Sequence, residues 1–303
     1  MEGATEHLRT LARAIVDVAF ERVPARAALL VGSAARGDAD YYSDLDLIVY
    51  VDRLPAEQVL AGIRAAVGGM NPIAKEATEY ACGEEFELDG ARTEITFITV
   101  ARMEMRLEQL LDRLEEIDSP VQKAVVGVLE GLPLHGEELI ERWQSRLRAY
   151  PEPLRRAMVE RYWRFFPLWN STEAMAVRDA ELWRLDMLLE AAFNLLGVLA
   201  GLNRLYFSRF ELKRMRALID QMEIAPPHLA DRLESLFRLE PREAAEQLER
   251  LVAETRVLVA GELPDLELPR PLRSALLRLA VRTGLRLGEL LGLVWANVDL
   301  DGA

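Results

Sequence analysis

The stretch Val31-Gly32-Ser33-Ala34-Ala35-Arg36-Gly37, followed after Asp38 to Tyr42 by Ser43-Asp44-Leu45-Asp46-Leu47-Ile48-Val49, decides the reading of this chain. It sets a Gly-Ser turn where one strand ends and two carboxylates, one residue apart, where the next begins. Side chains on an extended chain alternate faces, so Asp44 and Asp46 project together while Leu45, Leu47 and Val49 point into a core. Two carboxylates at that spacing repel by roughly 1 to 4 kcal/mol between water-like and protein-surface dielectrics, and a counter-charge relieves them. Mg²⁺ is suited to the task, because it takes one or two carboxylates together with substrate phosphates. The Gly-Ser turn suits those phosphates: Gly32 lets backbone approach an anion, and Ser33 adds a hydroxyl and an amide N–H as donors.

Gly-Ser, ten residues, then Asp-x-Asp resembles the nucleotidyltransferase superfamily of DNA polymerase β, including its antibiotic-modifying members. The resemblance implies transfer of a nucleoside monophosphate from an NTP, with two Mg²⁺ ions held by three carboxylates. Arg36 and Ser43, inside the same motif, join Gly32 and Ser33 as expected nucleotide-binding residues. The third carboxylate is sought on a neighbouring strand. Phe86 to Val100 reads as a hairpin, with Asp89-Gly90 as its turn and β-branched residues after it. Glu94 heads the apolar run Ile95 to Val100 and is the expected third member, as metal ligand or as acceptor of the proton from the attacking hydroxyl. Glu87 and Asp89 compete for the place, and the turn accounts for Asp89.

Around this motif, apolar residues at Leu8, Leu11, Ala12, Ile15, Val18 and Ala19 form one helix face over Thr5 to Arg22. A strand over Ala27 to Val31, the strand Asp44 to Val51, a helix from Pro55 to Val67 and the hairpin follow. From Met103 onward the pattern is helical, with stretches at Glu104 to Ile117, Pro120 to Glu130 and Gly136 to Ala149. The expected class is α+β: a small mixed β-sheet nucleotidyltransferase domain (residues 1–102), an α-helical bundle for substrate and nucleotide (103–263), and a linker with a tail (264–303).

Two helical segments stand out. Tyr162 to Asn170 holds five aromatics in nine residues, which core or interface packing explains better than substrate stacking. Leu202 to Arg214 gathers Arg204, Arg209, Lys213 and Arg214 in an acidic protein. It resembles the helical-domain segment with which related enzymes reach nucleotide phosphates, and Lys213 is the expected contact; a solvated basic helix face is the alternative. In the tail, Arg282-Thr283-Gly284-Leu285-Arg286 and the Leu-rich run after it resemble the start of a tyrosine recombinase (phage integrase) catalytic domain. There Arg286 would face a scissile phosphate, yet no His-x-x-Arg and no tyrosine stand between it and Ala303. DNA strand exchange is therefore not expected.

Composition removes other classes. One cysteine, Cys82, excludes an internal disulfide and a cysteine-rich zinc site, and three scattered histidines offer no ligand spacing. Any metal must rest on carboxylates, which favours Mg²⁺. The net charge of −13 argues against nucleic acid as partner. No apolar run reaches the roughly 18 residues of a bilayer span, and the start lacks the basic and apolar parts of a signal peptide, so a cytoplasmic protein with no membrane contact is expected. The expected reaction is AMP transfer from ATP, or another NTP, to a hydroxyl of a small molecule such as an antibiotic. The alternative is an antitoxin-like nucleotidyltransferase or nucleotide-binding regulator acting on a protein partner.

Overall fold

The computed structural model describes residues 2–115, 117, 119–165 and 179–268. Helix α1 (Glu2–Arg22) is followed by strand β1 (Ala25–Val31), a single short helix α2 (Gly32–Arg36), β2 (Leu45–Val51), α3 (Glu57–Val67) and three strands, β3 (Met70–Ala74), β4 (Ala81–Leu88) and β5 (Ala91–Thr99). Then come α4 (Val100–Leu111), α5 (Ser119–Glu130), β6 (Leu132–His135), α6 (Glu137–Arg148) and α7 (Glu152–Tyr162). The strands form one mixed sheet in the order β3-β4-β5-β2-β1-β6. Only the β2–β5 pair is parallel; the other pairings run antiparallel. The fold is α+β, a six-stranded mixed sheet followed by a helical region.

Alternation along β2 explains why this sheet forms. Leu45, Leu47 and Val49 are fully buried among Leu8, Ala12, Ile15 and Ala19 of α1 and Leu60 and Ile63 of α3. Asp46, Ile48 and Tyr50 take the opposite face, where the Tyr50 ring meets Trp143 of α6 edge-on at 4.7 Å. Strand β1 is buried on both faces from Ala27 to Leu30, as a strand inside a layered sheet must be.

Two strands depart from the sequence reading. Asn71-Pro72, between the expected helix and the expected hairpin, lies inside β3, and the stretch after Met103, read as helical, contains β6. Both are edge strands carrying a proline, where its missing N–H removes no ladder bond, and neither shows apolar alternation. The Gly-Ser turn is the first turn of α2, and the expected helix over Glu104 to Ile117 is α4, which begins earlier and ends at Leu111.

The chain divides into two compact units: residues Met1–Ala157 with Arg204–Phe210, and Met158–Asn203 with Glu211–Ala303. In the first, the returning segment is built in firmly. Tyr206 donates its hydroxyl to Leu147 O at 2.8 Å, and the amide of buried Phe207 donates to Gln122 Oε1 at 2.7 Å.

The second unit centres on α8 (Glu181–Leu202), with α9 (Met215–Ile219), α10 (Leu229–Ser235) and α11 (Pro241–Glu262); the 3₁₀ turn Arg209–Arg214 begins in the first unit and enters the second at Glu211. Helix α8 corrects the expectation that no apolar run is long enough for a bilayer. By length and composition it is one, with mean hydropathy 1.6 over an 18-residue window that is 72% buried. Its charges, Glu181, Arg184, Asp186 and Glu190, all precede Ala191, which leaves a stretch that is uncharged and, apart from Asn194, made of the residues a buried core helix carries. The described part of the aromatic segment packs within this unit: Tyr162 meets Phe193 at 5.7 Å, and the Arg256 guanidinium lies over Trp163 at 4.8 Å. Residues 166–170 of that segment, and the integrase-like stretch from 271 onward, lie outside the described residues.

Candidate active site

Register brings the motif together. Val31 pairs with Asp46 across β1 and β2, so the residue after Val31, Gly32, is set beside the Asp46 carboxylate. Gly32 has φ +76°, and a methyl group there would stand 3.1 Å from Asp46 Oδ2. Glycine is thus required twice over, for left-handed backbone and for close approach. Helix α2 is held from α1 by Arg9, whose guanidinium donates to Ala34 O at 2.9 Å and Ala35 O at 2.8 Å. That anchor was not read from the sequence, because an arginine on an amphipathic helix carries no local mark of it.

Asp46 and Glu94 are register partners on the parallel strands β2 and β5, and Glu94 is in turn the partner of Glu85 on β4. A row of three carboxylates, Asp46, Glu94 and Glu85, therefore crosses one face of the sheet. Asp44, exposed, immediately precedes β2. Burial, Glu94 and Asp44, in that order, push the Asp46 carboxyl above its ordinary 3.8, while Lys123 of α5 and Lys75 pull it back.

The row is balanced by cations. Lys75 Nζ lies 2.5 Å from Glu94 Oε2 and 3.4 Å from Glu85 Oε1. Arg92 donates to Glu85 Oε2 through Nε at 2.9 Å and a terminal nitrogen at 2.5 Å, which holds the Glu85 carboxyl below its usual range. Thr96 Oγ1 donates to Glu94 Oε1 at 3.0 Å. Glu85, Lys75 and Lys123 are residues the sequence reading missed. Only strand register and tertiary packing join them to the motif.

The other expected residues are placed as follows. Arg36 pairs with Asp38 at 3.4 Å and Glu130 at 3.7 Å. Ser43 Oγ donates to Asp40 Oδ1 at 3.0 Å and accepts from the Asp40 amide, closing the loop ahead of Asp44. Ser33 is half-buried in the first turn of α2. Lys213 belongs to the second unit, near the end of the 3₁₀ turn Arg209–Arg214. Of the alternatives to Glu94, Glu87 is exposed and accepts from Asn71 at 2.8 Å, while Asp89 is in the turn at φ +48° and pairs with His7 at 3.6 Å.

Among the described residues, no three His, Cys, Asp or Glu side chains are spaced to hold a metal ion. Both oxygens of Glu94 are engaged, by Lys75 and by Thr96. The donor chemistry nonetheless fits Mg²⁺: carboxylate oxygens only, with Asp46 disfavoured as an anion by two carboxylate neighbours that a cation would offset.

A family model described as nucleotidyltransferase domain matches residues 13–126, a span that takes in β1, α2, β2 and β5 and thus Gly32, Asp44, Asp46 and Glu94. The chain carries a nucleotidyltransferase domain over those residues; the match reaches neither Lys213 nor the integrase-like tail. No curated protein matches the chain. Among solved structures, it is similar to a nucleotidyltransferase-like protein from Exiguobacterium sibiricum 255-15, at 14% identity and a TM-score of 0.36, over 94% of this chain and 88% of that one.

Proposed function

We propose that this protein transfers a nucleoside monophosphate, AMP from ATP, to a hydroxyl group of a small molecule. One observation carries the reading: Asp46 and Glu94 stand in register on adjacent parallel strands, with the Gly32 backbone against Asp46. In the reaction the acceptor oxygen bonds to the α-phosphorus, the bond to the departing pyrophosphate breaks, and the acceptor proton leaves to a base. Asp44, Asp46 and Glu94 would hold Mg²⁺, and the bound metal supplies the positive charge that neutralises the triphosphate and the leaving group. Gly32 admits the phosphates to the backbone, and the amide and hydroxyl of Ser33 are donors to their oxygens. Arg36 and Ser43 stiffen the loop that delivers Asp44, and Lys123 is a cation for the phosphate side. Glu94 completes the metal set or accepts the acceptor's proton.

The test is incubation with labelled ATP, Mg²⁺ and a panel of hydroxylated antibiotics, followed by mass analysis for adducts heavier by one AMP. Products that vanish in Asp46→Asn support the reading. Turnover retained in that variant overturns the site assignment, and a panel without products redirects the acceptor to a protein partner.

A further inference from the structure

Glu85 and Glu94 face each other directly across β4 and β5, a like-charged pair that a sheet carries only with compensation. Lys75, at the end of β3, is that compensation. Its amide donates to Gly83 O at 3.2 Å, which fixes the backbone beside β4, and its side chain crosses to bridge both glutamates. The same ammonium also bears on Asp46. The result is a positive charge on the one carboxylate that a divalent cation at Asp44 and Asp46 would need as its third donor.

We infer that Lys75 is a positioning residue: an internal counter-ion that holds Glu94 out of the metal site in the metal-free protein and yields it when the cation arrives. This rests on the reading that Asp44, Asp46 and Glu94 take the metal. Two observations make the exchange feasible. The Lys75 and Glu94 side chains are 31% and 35% exposed, so neither charge is trapped in the interior when they part. Glu85 is already within ion-pair distance of Lys75, so the ammonium keeps a partner after releasing Glu94. Arg92 hydrogen-bonds Glu85 and not Glu94; its charge bears on Asp44 and Glu94 only through space, so it is a second nearby cation without a direct bond to the third donor.

The test is Mn²⁺ binding to the full chain by calorimetry, for wild type, Lys75→Met, Glu94→Gln, their double variant, Arg92→Met and Asp46→Asn. Lys75→Met should bind Mn²⁺ about three- to tenfold more tightly, the range expected when a partly exposed ion pair no longer competes. In the Glu94→Gln background the same change should alter affinity by less than about twofold, because no carboxylate is released. Arg92→Met should tighten binding less than Lys75→Met does. Lys75→Gln serves as a second variant should Lys75→Met fail to fold. Affinity unchanged or weakened on losing Lys75, or an equal gain without Glu94, overturns the inference; wild-type binding that Asp46→Asn abolishes would then leave the proposed function standing. No Mn²⁺ binding by wild type or Lys75→Met overturns both.

Discussion

Asp46 is destabilising as an anion, and this has a measurable sign. Its folded pKa is raised above the ordinary 3.8, chiefly by burial and then by Glu94 and Asp44, so the folded chain keeps this proton to higher pH than the unfolded chain does. The associated stability is full below 3.8 and is lost as the pH rises through the raised value. Without added metal, Asp46→Asn should therefore melt higher than wild type at neutral pH, the two curves should converge in acid, and transfer should be lost throughout. A variant less stable at neutral pH would refute the burden assigned to this carboxylate. Beside it, Gly32→Ala places a methyl in left-handed backbone 3.1 Å from Asp46 Oδ2. The expected loss is about 1 to 2 kcal/mol in urea unfolding, with a fall in transfer as the carboxylate is displaced.

At the level of elements, sequence legibility followed periodicity. Strand β2 and hairpin β4–β5 announce themselves because apolar residues alternate with polar or less buried ones over most of their length, and that alternation is also what set Asp46 and Glu94 on a common face. The edge strands are silent: β3 is exposed along its whole length, and β6 has four residues including Pro133. Lys75, Glu85 and Lys123 went unread for a related reason, since an isolated charged residue looks the same whether it faces solvent or a carboxylate row. Edge position does not make β6 expendable. Gly136, just after it, has φ +67°, and a methyl there would come within 2.2 Å of Arg26 O and 2.7 Å of Ala27 Cα on β1. Gly136→Ala should cost at least about 2 kcal/mol, read by denaturant unfolding, because backbone must move to admit it. A near-neutral result would mean that β6 is not docked as described.

For the molecule as a whole, the sheet unit is discontinuous in sequence. Residues Arg204–Phe210 return to it after an excursion of the chain, bringing Tyr206 against Tyr150 at 5.0 Å between rings and Phe207 into full burial. A fragment ending at residue 157 lacks these side chains although it contains every strand found among the described residues and the whole acidic row. It should bind an apolar dye and melt at a lower temperature than the full chain, and supplying the 204–210 peptide should reverse both in part. A fragment with the full-length melting temperature would show that the returning segment is an ornament of the unit. This discontinuity could not be foreseen from Leu202 to Arg214, whose basic residues drew the reading toward phosphates while its two buried aromatics did the packing.

The same return of the chain sets a schedule for biosynthesis. The last residue of the continuous part, Ala157, and the last of the returning segment, Phe210, are 210 − 157 = 53 residues apart. At a synthesis rate of about 5 to 20 residues per second, the nascent sheet waits roughly 3 to 10 seconds for the side chains that complete its core. During that interval the carboxylates of the site already exist on the ribosome, in a unit whose apolar surface is still open to chaperones.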